Sequence, residues 1–379
     1  MPYGGYFCPR IYYNMAKITT RLPACSFVND LPEVIISEVT SDALVTVTLN
    51  GTYLMSDVTL IPDVGGRIVV HVKEMTRNML SLAKPSAQIV QLPMLRVAAV
   101  INGETFLTFG QVLPGGTTGL DSVDEEWFAK NFLTWQPQII ETTPKQPQWL
   151  VFVSSVLHAR VEIFSTLYTT TGQILSKKID TIDQNPYRSY RQIRTDFEYL
   201  WKTACEVNKL TPVCYDVYGN GFESNSSLAT PNRPYAQRYI LRPERYNDVY
   251  FGFENTLGGF DSLMLEGKQS YQPEGDATTF KNYKEECELV NDYTSIWEAN
   301  TGRLETERAA TQFQDFLKST NRYVFRSGTW CKIIVTEYKV KHYRGESNSY
   351  SFKYHLSEKN EYRFFERNEL PEVELPTIL

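Results

Sequence analysis

The chain has 379 residues, which is enough for two or three domains and too many for one small core. Its 42% hydrophobic and 22% charged residues are ordinary for a folded soluble protein, and its net charge of −6 argues against a nucleic-acid groove, which needs a dense positive field. No apolar run reaches the length of a membrane span and no secretory leader is visible, so we expect a protein made in the cytoplasm that does not cross a membrane.

The aromatic residues and the cysteines further restrict the possible classes of protein. The 24 Tyr and 20 Phe residues favour strands and interfaces. The six cysteines include no CxxC pair, which argues against a zinc ribbon and a thioredoxin-type redox site. Cys205 and Cys214 are spaced closely enough for a disulfide, but free thiols in a reducing compartment explain the set equally well. The sequence leaves that choice open.

The segment 31–116 is predicted to be a β-sandwich domain of immunoglobulin size, preceded by an N-terminal arm over 1–30. Turn signals alternate with short runs rich in β-branched residues, at 33–40, 43–49, 52–61, 67–72, 95–101 and 105–109. Asn50-Gly51 and Asn102-Gly103 each separate two of these runs, and this dipeptide accepts the positive φ angles of a tight hairpin turn. Strands at this spacing are typical of an immunoglobulin-like sandwich.

The middle of the chain is predicted to hold a linker and a second β-rich domain. Residues 117–148 are polar and contain proline, and we interpret them as a linker whose aromatic residues pack on a neighbouring domain: Trp127, Phe128, Phe132 and Trp135. The second domain covers 149–241. Within it, apolar spacing over 197–207 fits a helix, and the segment 219–237, rich in Gly, Asn, Ser and Pro, predicts a long surface loop.

The last domain, 242–379, is predicted to be α+β with an extended tail after residue 370. Its clearest element is one amphipathic helix over 305–319, where Ala309, Phe313, Phe316 and Leu317 recur on one face. Strands are expected on both sides of this helix, so that the helix covers a sheet. The whole chain is therefore predicted to be mainly β, with tandem immunoglobulin-like sandwiches followed by this α+β domain.

The sequence contains no recognised catalytic motif. GxSxG, HExxH, GxxxxGK[ST] and GxGxxG are all absent, and four His residues leave few candidates for metal or acid–base chemistry. Acid clusters at 124–126 and 285–286 could suggest a glycoside hydrolase, but adjacent acids point in different directions, so solvated faces are the better interpretation. We therefore predict a protein that is not an enzyme and has no cofactor or metal site. A hydrolase with an unrecognised site is the last-ranked alternative.

Aromatic residues mixed with basic ones mark a candidate interface. Tyr187 and Tyr190 alternate with Arg188 and Arg191, a pattern that suits stacking on sugar rings or bases and also suits a subunit interface. We favour the interface, and we add Trp127 and Trp135 to its candidate residues.

One segment resembles a known group of proteins. YFGFENTLGGFDSLMLEG, at 250–267, resembles the F-x-N-x-x-GG-x-D pattern of tail-associated virion proteins of Bacteroidetes phages and prophages. WEANTGRLETE at 297–307 and the later RYVFRSGTWCKIIVTE hairpin follow in the order typical of that group, and NFLTWQPQ at 131–138 is similar to its connector. The departures are Leu263 and Leu265, which stand where the pattern has aromatic residues.

The resemblance implies a non-enzymatic structural subunit of a virion, in the tail, baseplate or tail hub, that forms a ring with other copies and other virion subunits. The alternative is a carbohydrate-binding or adhesin module that contacts a host glycan. In the motif, Gly258 and Gly259 allow a tight turn, and Asn255 and Asp261 are predicted to bond backbone groups across it. Phe253 is predicted to anchor a flanking strand in the core.

Overall fold

A computed structural model describes residues 16–80, 89–116, 125–128, 130–153, 160–183, 189–222, 235–281, 286–341, 343 and 348–357. The chain is mainly β, with several sheets. It divides into two compact units, of which unit 1 comprises 1–83 and 91–121, and unit 2 comprises 84–90 and 122–379. The predicted boundaries at 148/149 and 241/242 stay predictions. Among the described residues, no helix has both the length and the apolar character needed to cross a membrane.

The secondary-structure elements follow one another along the chain. The strands are β1 (Lys17–Thr20), β2 (Cys25–Phe27), β3 (Val34–Ser37), β4 (Ala43–Leu49), β5 (Thr52–Leu60), β6 (Ile68–Val70), β7 (Ile89–Gln91), β8 (Met94–Ile101), β9 (Glu104–Leu113), β10 (Ile139–Thr142), β11 (Trp149–Val153), β12 (Arg160–Thr169), β13 (Ile174–Asp183), β14 (Ser189–Arg194), β15 (Pro212–Phe222), β16 (Tyr235–Leu241), β17 (Val249–Glu254), β18 (Phe260–Leu265), β19 (Gln269–Lys281), β20 (Glu286–Asn300), β21 (Arg322–Arg326), β22 (Thr329–Lys339) and β23 (Ser351–Leu356). The α-helices are α1 (Val72–Arg77), α2 (Glu125–Phe128), α3 (Phe197–Leu200), α4 (Lys202–Asn208) and α5 (Glu307–Lys318).

Unit 1 is built from two sheets that share one aliphatic core. One sheet has the order β1-β3-β6 and the other the order β2-β9-β8-β4-β5. Burial alternates along β4 and β8, as expected for strands with one covered face. The buried residues are almost all Val, Leu, Ile and Ala. This composition explains why the β-branched runs of the sequence located the strands well.

The two predicted Asn-Gly hairpins are confirmed. Asn50 and Gly51 join β4 to β5 with φ angles of 49° and 82°, and Asn102 and Gly103 join β8 to β9 with φ angles of 50° and 83°. Both turns therefore use the left-handed backbone that this dipeptide tolerates, and their twist matches that of the strands they connect.

The first half of unit 2 packs two sheets and two short helices on a second core. A five-stranded sheet has the order β10-β16-β15-β12-β13, and a three-stranded sheet has the order β11-β14-β7. The predicted helix over 197–207 is confirmed as α3 and α4, which are interrupted at Trp201. The predicted linker, 117–148, contributes β10, which pairs in parallel with β16. Cys205 and Cys214 are free thiols.

The predicted surface loop over 219–237 is wrong at both ends. Gly219 to Phe222 continue β15, with Gly219 opposite Ile163 and Asn220 opposite Glu162 on β12. Residues 235–237 begin β16. A long neighbouring strand supplies backbone partners along its whole length, and this pairing outweighs the turn preference of Gly and Asn. Residues 223–234 lie outside the described residues.

The second half of unit 2 is one antiparallel sheet with the order β18-β17-β21-β22-β23-β20-β19. The helix α5 lies within the predicted range 305–319, and Thr306 caps it by accepting a hydrogen bond from the Ala309 N–H. Its residues Phe313 and Phe316 join a core that also buries Phe251, Phe253 and Phe352. Phe316 packs edge-to-face on Phe251 and Phe253, with ring centroids 5.7 and 5.5 Å apart.

Candidate functional site

The residues that carry the resemblance form a glycine turn, 255–262, between β17 and β18. Asn255 closes this turn as predicted. Its backbone N–H donates to the Gly259 carbonyl at 2.9 Å, and its side-chain Oδ1 accepts from the Gly259 N–H at 2.8 Å. Gly258 has a φ of 76°, a backbone region that L-residues with a side chain rarely adopt. Phe253, just before the turn, is fully buried in the core, as predicted.

Gly259 brings the turn against the chain segment 132–148, which we call the connector. A Cβ atom at Gly259 would lie 2.0 Å from the carbonyl oxygen of Leu133. The same carbonyl oxygen accepts a hydrogen bond from the Asn255 Nδ2 at 2.8 Å. The second glycine of the motif is therefore required by close approach of two backbones and not by the turn alone.

The carboxyl group of Asp261 bonds the connector as well as the Asn255 side chain. Its Oδ1 accepts from the Thr134 hydroxyl at 2.6 Å, and its Oδ2 accepts from the Trp135 N–H at 3.1 Å. The prediction that Asp261 bonds backbone groups across its own turn is thus wrong. Asp261 is a strand residue opposite Phe253, and its carboxyl group contacts the Asn255 side chain and the connector instead of backbone groups of the turn.

Two carboxyl groups are enclosed in this junction between connector and turn. Burial raises the pKa of Asp261 to about 7, although its hydrogen bonds to Thr134 and Trp135 favour the charged form, and the carboxyl of Asp315 on α5 raises it further. Asp315 accepts from the Thr256 N–H at 2.9 Å, and burial raises its pKa too. The junction therefore holds ionisable groups whose charge is costly at neutral pH.

Side-chain amides complete the junction. Gln136 on the connector and Gln312 on α5 each donate to the carbonyl of Ser262 at 3.2 Å, and Gln146 donates to the Ser262 hydroxyl at 3.3 Å. All three glutamines are buried. None of these glutamines was predicted as a site residue from the sequence, nor was Thr134. The available signal was the run of uncharged polar residues between apolar ones over 132–148, which is unusual for an exposed linker.

Tyr190 is part of the same junction and is not exposed to another subunit. It is only 5% exposed, and its hydroxyl donates to the Gly258 carbonyl at 3.0 Å. Burial raises its pKa well above the usual value for tyrosine. The subunit interface that we expected for Tyr190 is replaced by a contact inside unit 2. Tyr187 lies outside the described residues.

The two tryptophans of the candidate interface are half-buried. Trp135 donates from its indole Nε1 to the Thr256 hydroxyl at 2.8 Å, so it binds the glycine turn from the connector. Trp127 packs edge-to-face on the neighbouring Phe128, with ring centroids 5.6 Å apart. Of the predicted site residues, the structure therefore joins Asn255, Gly258, Gly259, Asp261, Tyr190 and Trp135 in one place.

The hydrogen bonds of the junction hold the connector against the glycine turn, and we call this arrangement a clamp. Both oxygens of Asp261 are occupied by donors of the connector, and the residue is fully buried. A buried hydrogen-bond network of this kind fixes the relative position of packed elements. Among the described residues, no group of three or more His, Cys, Asp and Glu side chains is placed to hold a metal ion.

The fold and the junction define the class of this protein as mainly β, with several sheets. No family model and no curated protein matches the chain. Among solved structures, Rst D1-D2 is similar at 9% identity, with 60% of this chain and 99% of that chain covered and a TM-score of 0.20. A tandem of titin Ig domains is similar at 9% identity, with 60% and 97% covered and a TM-score of 0.22. Similarities this low do not identify a fold or a function.

Proposed function

We propose that this chain is a non-enzymatic structural subunit of a bacteriophage virion, a tail or baseplate component built from immunoglobulin-like and α+β domains that assembles with copies of itself. The phage assignment depends on the motifs at 131–138, 250–267 and 297–307. The assembly role is supported by one structural observation, which is the long hairpin formed by β19 and β20.

This hairpin extends well beyond the sheet to which it belongs. β20 pairs with β23 only from Trp297 to Asn300, whereas its pairing with β19 continues from Ile296 opposite Gln272 to Glu286 opposite Lys281. At about 3.3 Å per residue, the extension is roughly 35 Å long. We call residues 272–281 and 286–296 the β-arm. Among the described strands, none other pairs with it.

A two-stranded ribbon of this kind is suited to binding another polypeptide chain. An isolated hairpin is marginally stable in water, and backbone N–H and C=O groups on the outer edges of such a hairpin can bond another chain. Pro273 lies on β19, the edge strand of the sheet, where a missing N–H is tolerated. A neighbouring subunit that adds a strand to the β-arm would satisfy these groups, as in other complexes formed by strand addition.

The proposal is tested by removing the β-arm. Replacing 273–295 by Asn-Gly joins Gln272 to Ile296 through a tight turn and keeps the pairs that anchor the hairpin. Light scattering at increasing concentration should show that the full chain self-associates and that the shortened chain remains monomeric. The circular dichroism of the shortened chain should show that its other strands are still folded. The matched control is Ser327→Asn, which changes the short turn between β21 and β22 and leaves the β-arm intact.

Two results would contradict the proposal. The assembly role fails if the shortened chain associates as strongly as the full chain. The virion role fails if particles released by induction of the host bacterium's prophages lack the chain in mass spectrometry.

A further inference from the structure

We propose that unit 2 also carries a binding site for one pyranose ring of a neutral glycan, in a cleft at one end of the seven-stranded sheet. The cleft has a volume of about 290 Å³, and four aromatic side chains line it: Tyr250, Trp297, Phe325 and Tyr354. This volume is at the small end of the range for ligand sites, which suits a single small ligand better than a long one. We call this site the aromatic cleft.

The rings of the aromatic cleft are held in fixed positions. Trp297 stacks on Tyr354 with ring centroids 5.8 Å apart, and the Arg326 guanidinium lies 4.3 Å from the Trp297 ring centroid. Phe325 is fixed by Trp330, whose ring is 5.0 Å away in an edge-to-face arrangement. Trp297 and Phe325 are only half-buried, so part of their surface faces the cleft. Such rigid apolar walls suit the C–H groups of a sugar ring.

Polar groups at the rim offer the pairing that sugar hydroxyls need. The Lys145 ammonium donates to Glu244 Oε2 at 2.9 Å, and the Tyr250 hydroxyl donates to Glu244 Oε1 at 3.2 Å. A sugar hydroxyl both donates and accepts, so a carboxylate beside an ammonium matches two neighbouring hydroxyls of one ring. Because Lys145, Tyr250 and Glu244 already hold one another, little conformational entropy is lost when a ligand binds.

The charges of the aromatic cleft select a neutral ligand. Two cations, Lys145 and Arg326, and two carboxylates, Glu244 and Asp248, line it. Asp248 is further neutralised by Arg242, which donates to both of its oxygens at 2.8 Å. A phosphate or carboxylate ligand would meet the Glu244 carboxylate, and a cationic ligand would meet Lys145 and Arg326. A neutral ring with hydroxyls on its edge and C–H groups on its faces satisfies both the rim and the walls.

The experiment uses the full chain and saturation-transfer NMR with four neutral probes: methyl β-D-glucopyranoside, methyl β-D-galactopyranoside, methyl α-D-mannopyranoside and N-acetylglucosamine. At least one probe should receive saturation on its ring protons and titrate with a dissociation constant in the millimolar range. Glu244→Gln removes the charged acceptor and should weaken that binding roughly three- to tenfold. Trp297→Ala should abolish it.

Controls separate binding from folding. Tyr338 is an exposed aromatic residue on β22 of the same sheet and does not line the cleft, so Tyr338→Ala should leave sugar binding unchanged. Trp297 packs in the core and its replacement can unfold the sheet, whereas Glu244 lies at the rim, where Glu244→Gln preserves the fold. The Glu244 variant therefore decides the question.

Three results would overturn the inference: no saturation of any of the four probes, binding that Glu244→Gln leaves unchanged, or tighter binding of methyl glucuronide than of every neutral probe. None of these depends on self-association, because the residues of the aromatic cleft lie outside the β-arm. Loss of assembly with intact sugar binding, or the reverse, would identify which of the two proposals has failed.

Discussion

Units 1 and 2 are stabilised in different ways. Unit 1 buries mostly aliphatic residues between two sheets, and two of its strand pairs, β4-β5 and β8-β9, are hairpins with Asn-Gly turns. Unit 2 buries clusters of aromatic rings and a network of polar groups that are more than 100 positions apart in the sequence, such as Thr134 and Asp261. Local sequence patterns predict the hairpins of unit 1, whereas the hydrogen bonds between distant segments of unit 2 form only in the folded chain.

The largest effect should come from the aromatic core. Phe316→Ala removes a ring that packs on four other phenylalanines, and it should cost unit 2 about 4 kcal/mol of unfolding free energy. Calorimetry should show a lower transition temperature for unit 2 only. Leu95→Ala is the matched change in unit 1, with an expected cost of about 3 kcal/mol confined to the other transition. A single transition that moves equally in both variants would show that the units do not unfold separately.

The next effect should come from the close approach of turn and connector. Gly259→Ala places a methyl group against the Leu133 carbonyl and should destabilise unit 2 by about 3 kcal/mol in urea unfolding. Gly103→Ala changes a glycine with a φ of 83° and open space around it, so backbone strain alone should cost about 1 kcal/mol. Equal costs for the two variants would mean that the close approach adds nothing.

A smaller effect, with a pH signature, should come from Asp261. Its pKa is about 7 in the folded chain and near 3.8 when exposed, so its contribution to stability is complete below pH 3.8 and is lost as the pH rises through 7. Asp261→Asn removes the charge; its carbonyl oxygen can accept from the Trp135 N–H, and its amide can donate to the Thr134 hydroxyl, which then accepts instead of donating. The variant should lose less stability than the wild type between pH 4 and pH 8, and it should be more stable at pH 8 by about 2 kcal/mol.

The pH experiment needs a second variant, because Asp315 is buried in the same junction and its pKa is raised in the same direction. Asp315→Asn should remove a separate part of the pH dependence. If Asp261→Asn follows the wild-type curve from pH 4 to pH 8, the carboxyl of Asp261 is not the group that titrates.

The smallest effect should come from one hydrogen bond of the connector. Trp135→Phe keeps a ring in place and removes the indole donor to Thr256, with an expected cost of about 1 kcal/mol. Thr256→Val removes the acceptor instead. In a double-mutant cycle the two losses should add only in part, since both delete the same bond and Thr256→Val also deletes the bond from the Thr256 hydroxyl to Asp315. Additive losses would assign the effect to ring packing.

Much of unit 1 and parts of unit 2 could be predicted from the sequence. β-branched runs, two Asn-Gly dipeptides and the apolar spacing over 305–319 located strands, hairpins and α5, because each signal acts within a few residues. The β-arm was not predicted. Its strands contain Pro273 and Gly275, which disfavour strands locally, and the long antiparallel pairing depends on a partner strand whose register no local pattern encodes.

The motif residues also show that local sequence patterns do not predict long-range contacts. The sequence identified Asn255, Gly258, Gly259 and Asp261 as a group and correctly assigned Asn255 to the turn. It could not assign Asp261 to Thr134, or Tyr190 to Gly258, because a hydrogen bond between segments 127 or 68 positions apart leaves no periodic trace in the sequence.

By itself, the sequence determined that the chain is mainly β, where its tightest turns lie and which phenylalanines enter the core, since hydrophobic spacing and backbone preferences are local properties. The tertiary structure decided that the segment 132–148 is a buried part of unit 2, that Tyr190 faces inward, and that four aromatic rings line one cleft. Those outcomes depend on contacts between segments far apart in the sequence. Such contacts form when strands pair across long separations, and burial and hydrogen bonding then stabilise them.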